Sequence, residues 1–363
     1  MVKKKIELSV IIPVYNVKSY LNQCVCSIAE SAADAGIEPE VLLIDDGSTD
    51  GSGQLAEELA VRYHFVRVIH QENRGVAAAR NKGMEEALGS WLFFVDSDDW
   101  VALRSINIIL SAVSRYPEAD IILFDAWEER GGQQVEWAHF TKELVLKEAE
   151  NQGRKGLDSI RQQILYPKDT PLAAPWDKIY RKEFLKRNRL MFPENLKVLD
   201  DMVFNMEAFG KAEYVVYQKE KIYHYQRIGT SITNSYRPDR VKQDQRVWEY
   251  IEKYLEELRA EEKIEDSRRK ELEQCFYCRT IKSFAICFRL CFFHENNPRS
   301  LREKLKEVKK IMKEEPYGKA FRKVKVKNLE WRLKLVWLMA KGNCALGMGC
   351  LYFMNQWMEK HGK

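Results

Sequence analysis

The chain has 363 residues, too many for one small domain, and its 45% hydrophobic and 31% charged residues exclude a disordered polymer and leave enough apolar side chains for a real core. A net charge of +5 hides an asymmetry: from Ser231 onward 30 Lys and Arg stand against 19 Asp and Glu, whereas the preceding part has 29 against 35, so the two parts are expected to meet different surroundings. No secretory signal is read at Met1-Val2-Lys3-Lys4-Lys5, and eight cysteines without a disulfide-framework spacing point to a reducing cytoplasm.

Leu8-Ser9-Val10-Ile11-Ile12 reads as a strand ending at Pro13, which has no N–H to give a ladder. Helical periodicity follows at Leu21, Val25 and Ile28. Val41–Ile44 is a second strand, closed by Asp45-Asp46-Gly47-Ser48-Thr49-Asp50, where Asp-Gly supplies a turn and Ser48, Thr49 or Asp50 caps a helix carrying Leu55 and Leu59. Phe65–Ile69 is a third strand, and Gly75–Leu88 an Ala-rich helix. The fourth strand, Trp91–Val95, stops abruptly in Asp96-Ser97-Asp98-Asp99. Strand and helix alternating in this way predict an α/β fold with a mostly parallel sheet and helices on both faces. Ligands bind such sheets outside the carboxyl ends of the strands. Two strands ending in paired carboxylates therefore place both acid clusters on one edge. Carboxylates this close repel unless a cation neutralises them, and oxygen-only ligands suit Mg²⁺ or Mn²⁺, which share their coordination with substrate phosphates.

Beyond Asp99 come a helix at Ile108–Val113, a strand at Asp120–Phe124 and a hairpin turn at Gly131-Gly132. Trp176–Tyr180 is a short strand before the amphipathic run Phe184–Leu190, and Asp200-Asp201 opens a helix, Met202–Phe209, where an acid in the first turn suits the dipole. Two short strands, Tyr214–Tyr217 and Ile222–Tyr225, precede the polar loop Arg227–Thr233. From Pro238 strand signals vanish: two long charged helices run to Leu290, another covers Arg299–Met312, and an apolar pair is broken at Gly342. A boundary is placed so that residues 1–235 form one domain and 236–363 a helical region. Cys275, Cys278, Cys287 and Cys291 lie in a helix-like pattern without the Gly-rich turns of a zinc loop and read as apolar fillers. The basic tail has no recognisable nucleic-acid motif. Arg299–Lys341 carries 15 basic against 5 acidic residues beside Trp331, Trp337, Leu346, Leu351, Tyr352, Phe353, Met354 and Trp357, in pieces too short to span a bilayer, which predicts docking on an anionic membrane surface.

Four stretches, Ser9-Val-Ile-Ile-Pro-Val-Tyr-Asn16, Ile44-Asp-Asp-Gly-Ser-Thr-Asp50, Gly75-Val-Ala-Ala-Ala-Arg-Asn-Lys-Gly83 and Val95-Asp-Ser-Asp-Asp99, resemble in order and spacing the family 2 glycosyltransferases. The resemblance covers roughly the first 235 residues. It implies a GT-A fold, a nucleotide-diphosphate sugar donor (a UDP-sugar foremost), Mn²⁺ or Mg²⁺, and transfer with inversion to a glycan or lipid-linked acceptor in surface polysaccharide assembly, on the cytoplasmic side of the cell membrane. Carried over residue by residue, Pro13, Tyr15, Asp45 and Asp46 hold base and ribose, with either acid able to read the base. Arg80 faces the nucleotide end of the donor, and Asn73 is a further donor contact. Asp96, Ser97 and Asp98 form the Asp-x-Asp element, with Asp98 the direct metal ligand and Asp96 nearer the ribose. Asp201 is the second member of an acidic pair, in the family usually Glu-Asp, and takes the role of catalytic base; here the first member is Asp200, a shorter side chain. His224, Arg227 and Ser231 fall where relatives close a loop over the diphosphate, and Trp176 and Lys178 where an acceptor rests. A sugar-phosphate nucleotidyltransferase would need a glycine-rich loop after the first strand, where this chain has Pro13-Val-Tyr-Asn16. A catalytically silent scaffold would have no need of Asp98 and Asp201 together.

Overall fold

Short runs of β-branched and aromatic residues form strands, and Ala- and Leu-rich amphipathic runs form the helices between them. The structure, a computed structural model, describes residues 7–150, 153–167, 172–227, 235–260 and 265–350. Two units separate, Met1–Ile228 and Gly229–Lys363.

In the first unit β1 (Leu8–Val14), α1 (Lys18–Ala35), β2 (Glu40–Asp45), α2 (Ser52–Arg62), β3 (Val66–His70), α3 (Val76–Glu86) and β4 (Trp91–Phe94) alternate as the sequence predicts. There follow β5 (Trp100–Val101), α4 (Ser105–Arg115), β6 (Ile121–Arg130), β7 (Gln133–Trp137), β8 (Leu144–Lys147), α5 (Gly153–Leu165), β9 (Lys178–Arg181), α6 (Lys182–Arg187), α7 (Asp200–Lys211) and β10 (Tyr214–Gln226). The sheet order is β3-β2-β1-β4-β9-β6-β10-β5, with β7 on β6 and β8 on β10. The first four strands are mutually parallel, so their carboxyl ends share one edge. The parallel order stops there: β9 runs antiparallel to both β4 and β6, and the far half of the sheet is mixed. Order reverses between β1 and β4, which opens a crevice at that edge.

Three local differences from the sequence reading have simple causes. Pro13 lies inside β1, paired with Ile44, instead of ending it. Its missing N–H would face β4, and the β1–β4 ladder has already ended at Ile11 and Phe94, so no bond is lost. The two short strands expected at 214–217 and 222–225 are one strand, β10, with register shifts between Tyr217 and Tyr223 absorbing the polar residues between them. Trp176 precedes β9 in a turn and is not part of it. Gly131 and Gly132, with φ of 53° and 85°, make the two-residue hairpin turn between β6 and β7.

Alternate residues of the strands build two layers. Val10, Ile12, Val41, Leu43 and Phe93 pack with Leu21, Val25, Ile28, Leu59, Ile106 and Ile109 from α1, α2 and α4. On the other face Phe94 meets the rings of Tyr180, Phe192 and Phe204, which brings α7 against the sheet. Helix α3 lies closest to this face. A Cβ on Gly83 would fall inside the envelope of Ile11 Cγ2, a fully buried side chain with no room to move. Gly83→Ala should therefore lower unfolding free energy by about 1–2 kcal/mol, because overpacking outweighs the gain in helix propensity; urea denaturation checks this, and a variant as stable as the parent would contradict the close approach.

The second unit holds α8 (Arg240–Ala260), α9 (Asp266–Cys287), α10 (Leu301–Ile311), α11 (Tyr317–Lys323) and α12 (Trp331–Lys341), and the ring of Phe284 on α9 touches those of Phe288 and, on α11, Tyr317 and Phe321. Cys278, Cys287 and Cys291 are buried among these apolar groups. Helix α10 opens with a reciprocal cap in which Ser300 N donates to the Glu303 carboxylate at 2.8 Å and Glu303 N to Ser300 Oγ at 3.3 Å. No helix among the described residues is long and apolar enough to cross a membrane.

Candidate active site

At the shared edge of β1, β2 and β4 the polar loops bind one another before any ligand is considered. Asn16, in the left-handed region at φ 54°, accepts from Thr49 N at 2.8 Å, and its own N–H donates to Ser48 Oγ at 3.2 Å. Val17 N donates to Ser52 Oγ at 2.9 Å and Lys18 N to Asp50 at 3.1 Å. These bonds fix the turn after β1 and leave Tyr15, 48% exposed, as an aromatic face at the mouth of the crevice. Pro13 is buried.

Asp45 and Asp46 are both buried and already hydrogen-bonded. Asp46 accepts from Gln71 Nε2 at 2.7 Å, Arg74 N at 2.9 Å and Gly75 N at 2.7 Å, which clamps the loop before α3. Asp45 accepts from Ser48 N at 3.1 Å and pairs with His70 Nδ1 at 2.8 Å. Bonds to Asp45 and Glu57 raise the pKa of the His70 ring. Asn73 is exposed, and its backbone, more than its side chain, is what packs here, against Gly47.

The acids after β4 have three different environments. Asp96 receives Arg80 Nη2 at 2.8 Å, and its own N–H donates to Tyr223 Oη at 3.0 Å. Asp99 is buried with both oxygens occupied, one by Tyr223 Oη and one by Gln226 N, each at 2.7 Å. Burial, followed by the charges of Asp96 and Asp98, pushes the Asp99 carboxyl well up. It ties the acidic turn to β10. Among the described residues Asp98 is bonded by its own backbone N–H alone, and burial together with the charge of Asp96 raises its pKa. Ser97 is buried between them. Among the described residues no group of three or more His, Cys, Asp or Glu is arranged to hold a metal by itself. The donor set, one unengaged carboxylate beside a partly open one, fits an Mg²⁺- or Mn²⁺-type ion whose remaining ligands are diphosphate and water.

Arg80 connects this cluster to α7. It is 6% exposed, lies over the Phe192 ring at 5.2 Å, and reaches Asp200 with Nη1 at 3.3 Å while Nη2 holds Asp96. Its amino groups are thus spent on two carboxylates instead of facing open solvent. Leu199, just before the pair, has φ 59°, a left-handed conformation that costs a branched residue roughly 1 kcal/mol and re-aims the chain into α7. Asp200 is buried, which raises its carboxyl, and the Arg80 guanidinium opposes that rise. Asp201 accepts from Met202 N at 2.7 Å, and burial and the charge of Asp200 lift its pKa to about 7.

The remaining sequence candidates fare differently. Trp176, expected at the acceptor, is 4% exposed, and its ring stacks on Tyr223 at 4.7 Å and Tyr225 at 5.6 Å, so β10 covers the face an acceptor would need. Lys178, also expected there, is fully buried: it pairs with Asp177 and donates to Ala174 O at 2.7 Å, and Asp177 in turn pairs with His139 at 2.6 Å. Both are corrected to framework beneath the site. His224 stacks on Trp100 at 5.2 Å and pairs with Glu129 at 2.8 Å. Arg227 is exposed with a 3.3 Å bond to Glu128. Ser231 lies outside the described residues. Tyr223, the left-handed Leu199 and the pairing of Asp200 with Arg80 carry the site's geometry; the acidic-pair motif marks Asp200 in the sequence but not its partner, and no motif marks Tyr223.

With this geometry in hand, the similarity to known proteins is informative. The family model described as Glycosyl transferase family 2 matches residues 9–188, from β1 through α6, and stops short of Asp200-Asp201. EpsH of Bacillus subtilis is 28% identical over 347 residues, 92% of this chain and 91% of that one. The glycosyltransferase GlyG of Streptococcus pneumoniae is 31% identical over 232 residues, 62% of this chain and 72% of that one. Of other curated relatives the chain spans less than two thirds of their length, 64% in one and 30% in another. The crystal structure of S. aureus TarS 1-349 in complex with UDP-GlcNAc shares the fold, with a TM-score of 0.64 at 20% identity over 97% of this chain and 92% of that chain.

Proposed function

The chain belongs to glycosyl transferase family 2, and from that premise we propose that it moves a sugar from a UDP-sugar to a hydroxyl of a glycan or lipid-linked acceptor, with inversion, in surface polysaccharide assembly. The observation that carries the chemistry is the placement of Asp201, a part-buried carboxyl one residue from an acid that Arg80 bridges to the Asp96 cluster, where desolvation and the Asp200 charge push its pKa up to about 7. A base is most effective when its pKa lies near the working pH.

In this reading Tyr15 stacks on the base, and Asp45 or Asp46 accepts its N–H. Arg80 holds Asp96 and Asp200 at fixed separation from the donor. Asp98, with Asp96 beside it, would hold Mn²⁺ or Mg²⁺, which supplies charge neutralisation for the leaving diphosphate. Asp201 removes the proton from the acceptor hydroxyl as that oxygen bonds to the anomeric carbon. The bond to the diphosphate breaks on the opposite face, and the diphosphate leaves with the electron pair. One base and no protein nucleophile is the logic of inversion. A screen for nucleoside diphosphate release across UDP-, GDP- and TDP-sugars tests the reading; the UDP series should respond first, and no release from any sugar nucleotide would remove it.

The second unit supports docking on an anionic membrane surface. Leu333 and Val336 of α12 turn inward, but Trp331, Leu338 and Leu346 are 64%, 57% and 59% exposed beside the basic run. Leu351, Tyr352, Phe353, Met354 and Trp357 lie outside the described residues. Interfacial Trp and Leu beside Lys and Arg bind anionic lipid at roughly 1 kcal/mol per basic residue. Flotation with anionic vesicles should recover the protein at low salt and release it as salt rises. Recovery should also weaken in Trp331→Ser/Leu338→Ser, and a protein that never floats would leave this face as ordinary surface.

A further inference from the structure

A cavity of about 680 Å³, the size of a small-molecule site, lies between α3, α6 and the segment 188–194. Its wall is apolar, with Met84, Leu92, Leu185 and Leu190 inside and Met191, 52% exposed, at the mouth. Its rim is cationic. The two acids there are engaged, Glu194 by Arg74 at 2.7 Å and Glu85 by Lys82 at 3.2 Å. Lys182 donates to Ala87 O, and Lys186 and Arg189 have no carboxylate partner among the described residues. The groove therefore offers hydrocarbon below and uncompensated positive charge above.

Arg189 adds an independent sign. It sits just past the end of α6 with φ 52°, where its N–H reaches Lys186 O at 3.1 Å and Leu190 N reaches Leu185 O at 3.0 Å. Glycine is the residue that takes this helix-ending conformation without strain. The chain instead carries an arginine whose side chain lines the groove. Strained positions of this kind gather at ligand clamps.

We propose that this groove binds an amphiphilic phosphate, its anionic head against Lys186 and Arg189 and its hydrocarbon on Met84, Leu185, Leu190 and Met191. Such a molecule is the anchoring end of a lipid-linked acceptor. The placement suits that use. The segment carrying Leu190 and Met191 continues into Phe192, whose N–H and C=O are both bonded to the Asn81 side chain at 2.8 Å, and then runs to α7 and Asp201. As an acceptor anchor the groove rests on the transferase reading; as a binding site it is measured without donor or turnover.

The experiment is calorimetric titration of the full chain with decyl phosphate below its micelle concentration, beside inorganic phosphate and decanol. Decyl phosphate should bind saturably at one per chain, with phosphate and decanol each at least about tenfold weaker, since head and tail both contribute. Arg189→Gly relieves strain, so its melting temperature should hold or rise, while decyl phosphate binding should weaken about tenfold; Lys186→Gln should do the same. No saturable binding overturns the proposal. So does equal binding of phosphate alone, which would mean a plain anion site, and so does undiminished binding in both variants. Donor hydrolysis measured on the same samples separates the two ideas: its absence would count against transfer and leave the groove standing or falling on the titration.

Discussion

Asp201→Asn is expected to lower sugar transfer by a factor of about 10² to 10⁴, the range for a lost general base, while donor binding stays intact. Asparagine keeps the shape and the acceptor for Met202 N, which now lies at 2.7 Å from the carboxylate, so the helix start should survive. The unsubstituted enzyme should also show an acid limb. Burial and the neighbouring Asp200 charge favour the neutral carboxyl and lift the pKa to about 7, so the base-competent fraction, and with it kcat/KM, should be lost as pH falls through about 7. A profile flat across that range, or an asparagine variant that transfers normally, would make Asp201 a structural acid at a helix start. Collapse of donor binding in the variant would instead move it into the donor site.

Chelation should abolish turnover, and Mn²⁺ or Mg²⁺ should restore it. A divalent ion on a leaving diphosphate contributes several kcal/mol, and each 1.36 kcal/mol is tenfold in rate, so Asp98→Asn should cost on the order of 10³. The three acids of the turn should separate in this test. Asp98 is the one that, among the described residues, is left to its own backbone N–H, so its loss should reduce Mn²⁺ binding measured by paramagnetic resonance in the presence of UDP. Asp99 spends both oxygens on Tyr223 and Gln226, so Asp99→Asn should leave Mn²⁺ binding nearly unchanged and lower stability by about 1–3 kcal/mol, the cost of a compromised buried bond. Full activity in chelator would dismiss the ion.

The frame of the catalytic unit is legible in its local patterns. Leu8–Ile12, Val41–Ile44, Phe65–Ile69 and Trp91–Val95 are apolar runs too short for helices, linked in turn by helical segments, and right-handed crossovers leave such strands parallel with their carboxyl ends together. That alone puts Tyr15, Asp45, Asp46 and Asp96–Asp99 on one edge. The Gly131-Gly132 hairpin and the helical second unit were legible for the same reason: local propensity and local period agree with the fold there.

What each acid is able to do depends on contacts between distant parts of the chain. Arg80 meets Asp200 across 120 positions and Tyr223 meets Asp99 across 124, and no local pattern encodes pairings at that distance. A carboxyl's pKa follows from who surrounds it, so Asp98, Asp99 and Asp201 look alike in the sequence and differ in the fold. Trp176 and Lys178 show the same limit in reverse. Their residue types suit an acceptor, but the tyrosines of β10 and the carboxylate of Asp177 claim them first, because a strand added late in the chain closes over the turn before β9.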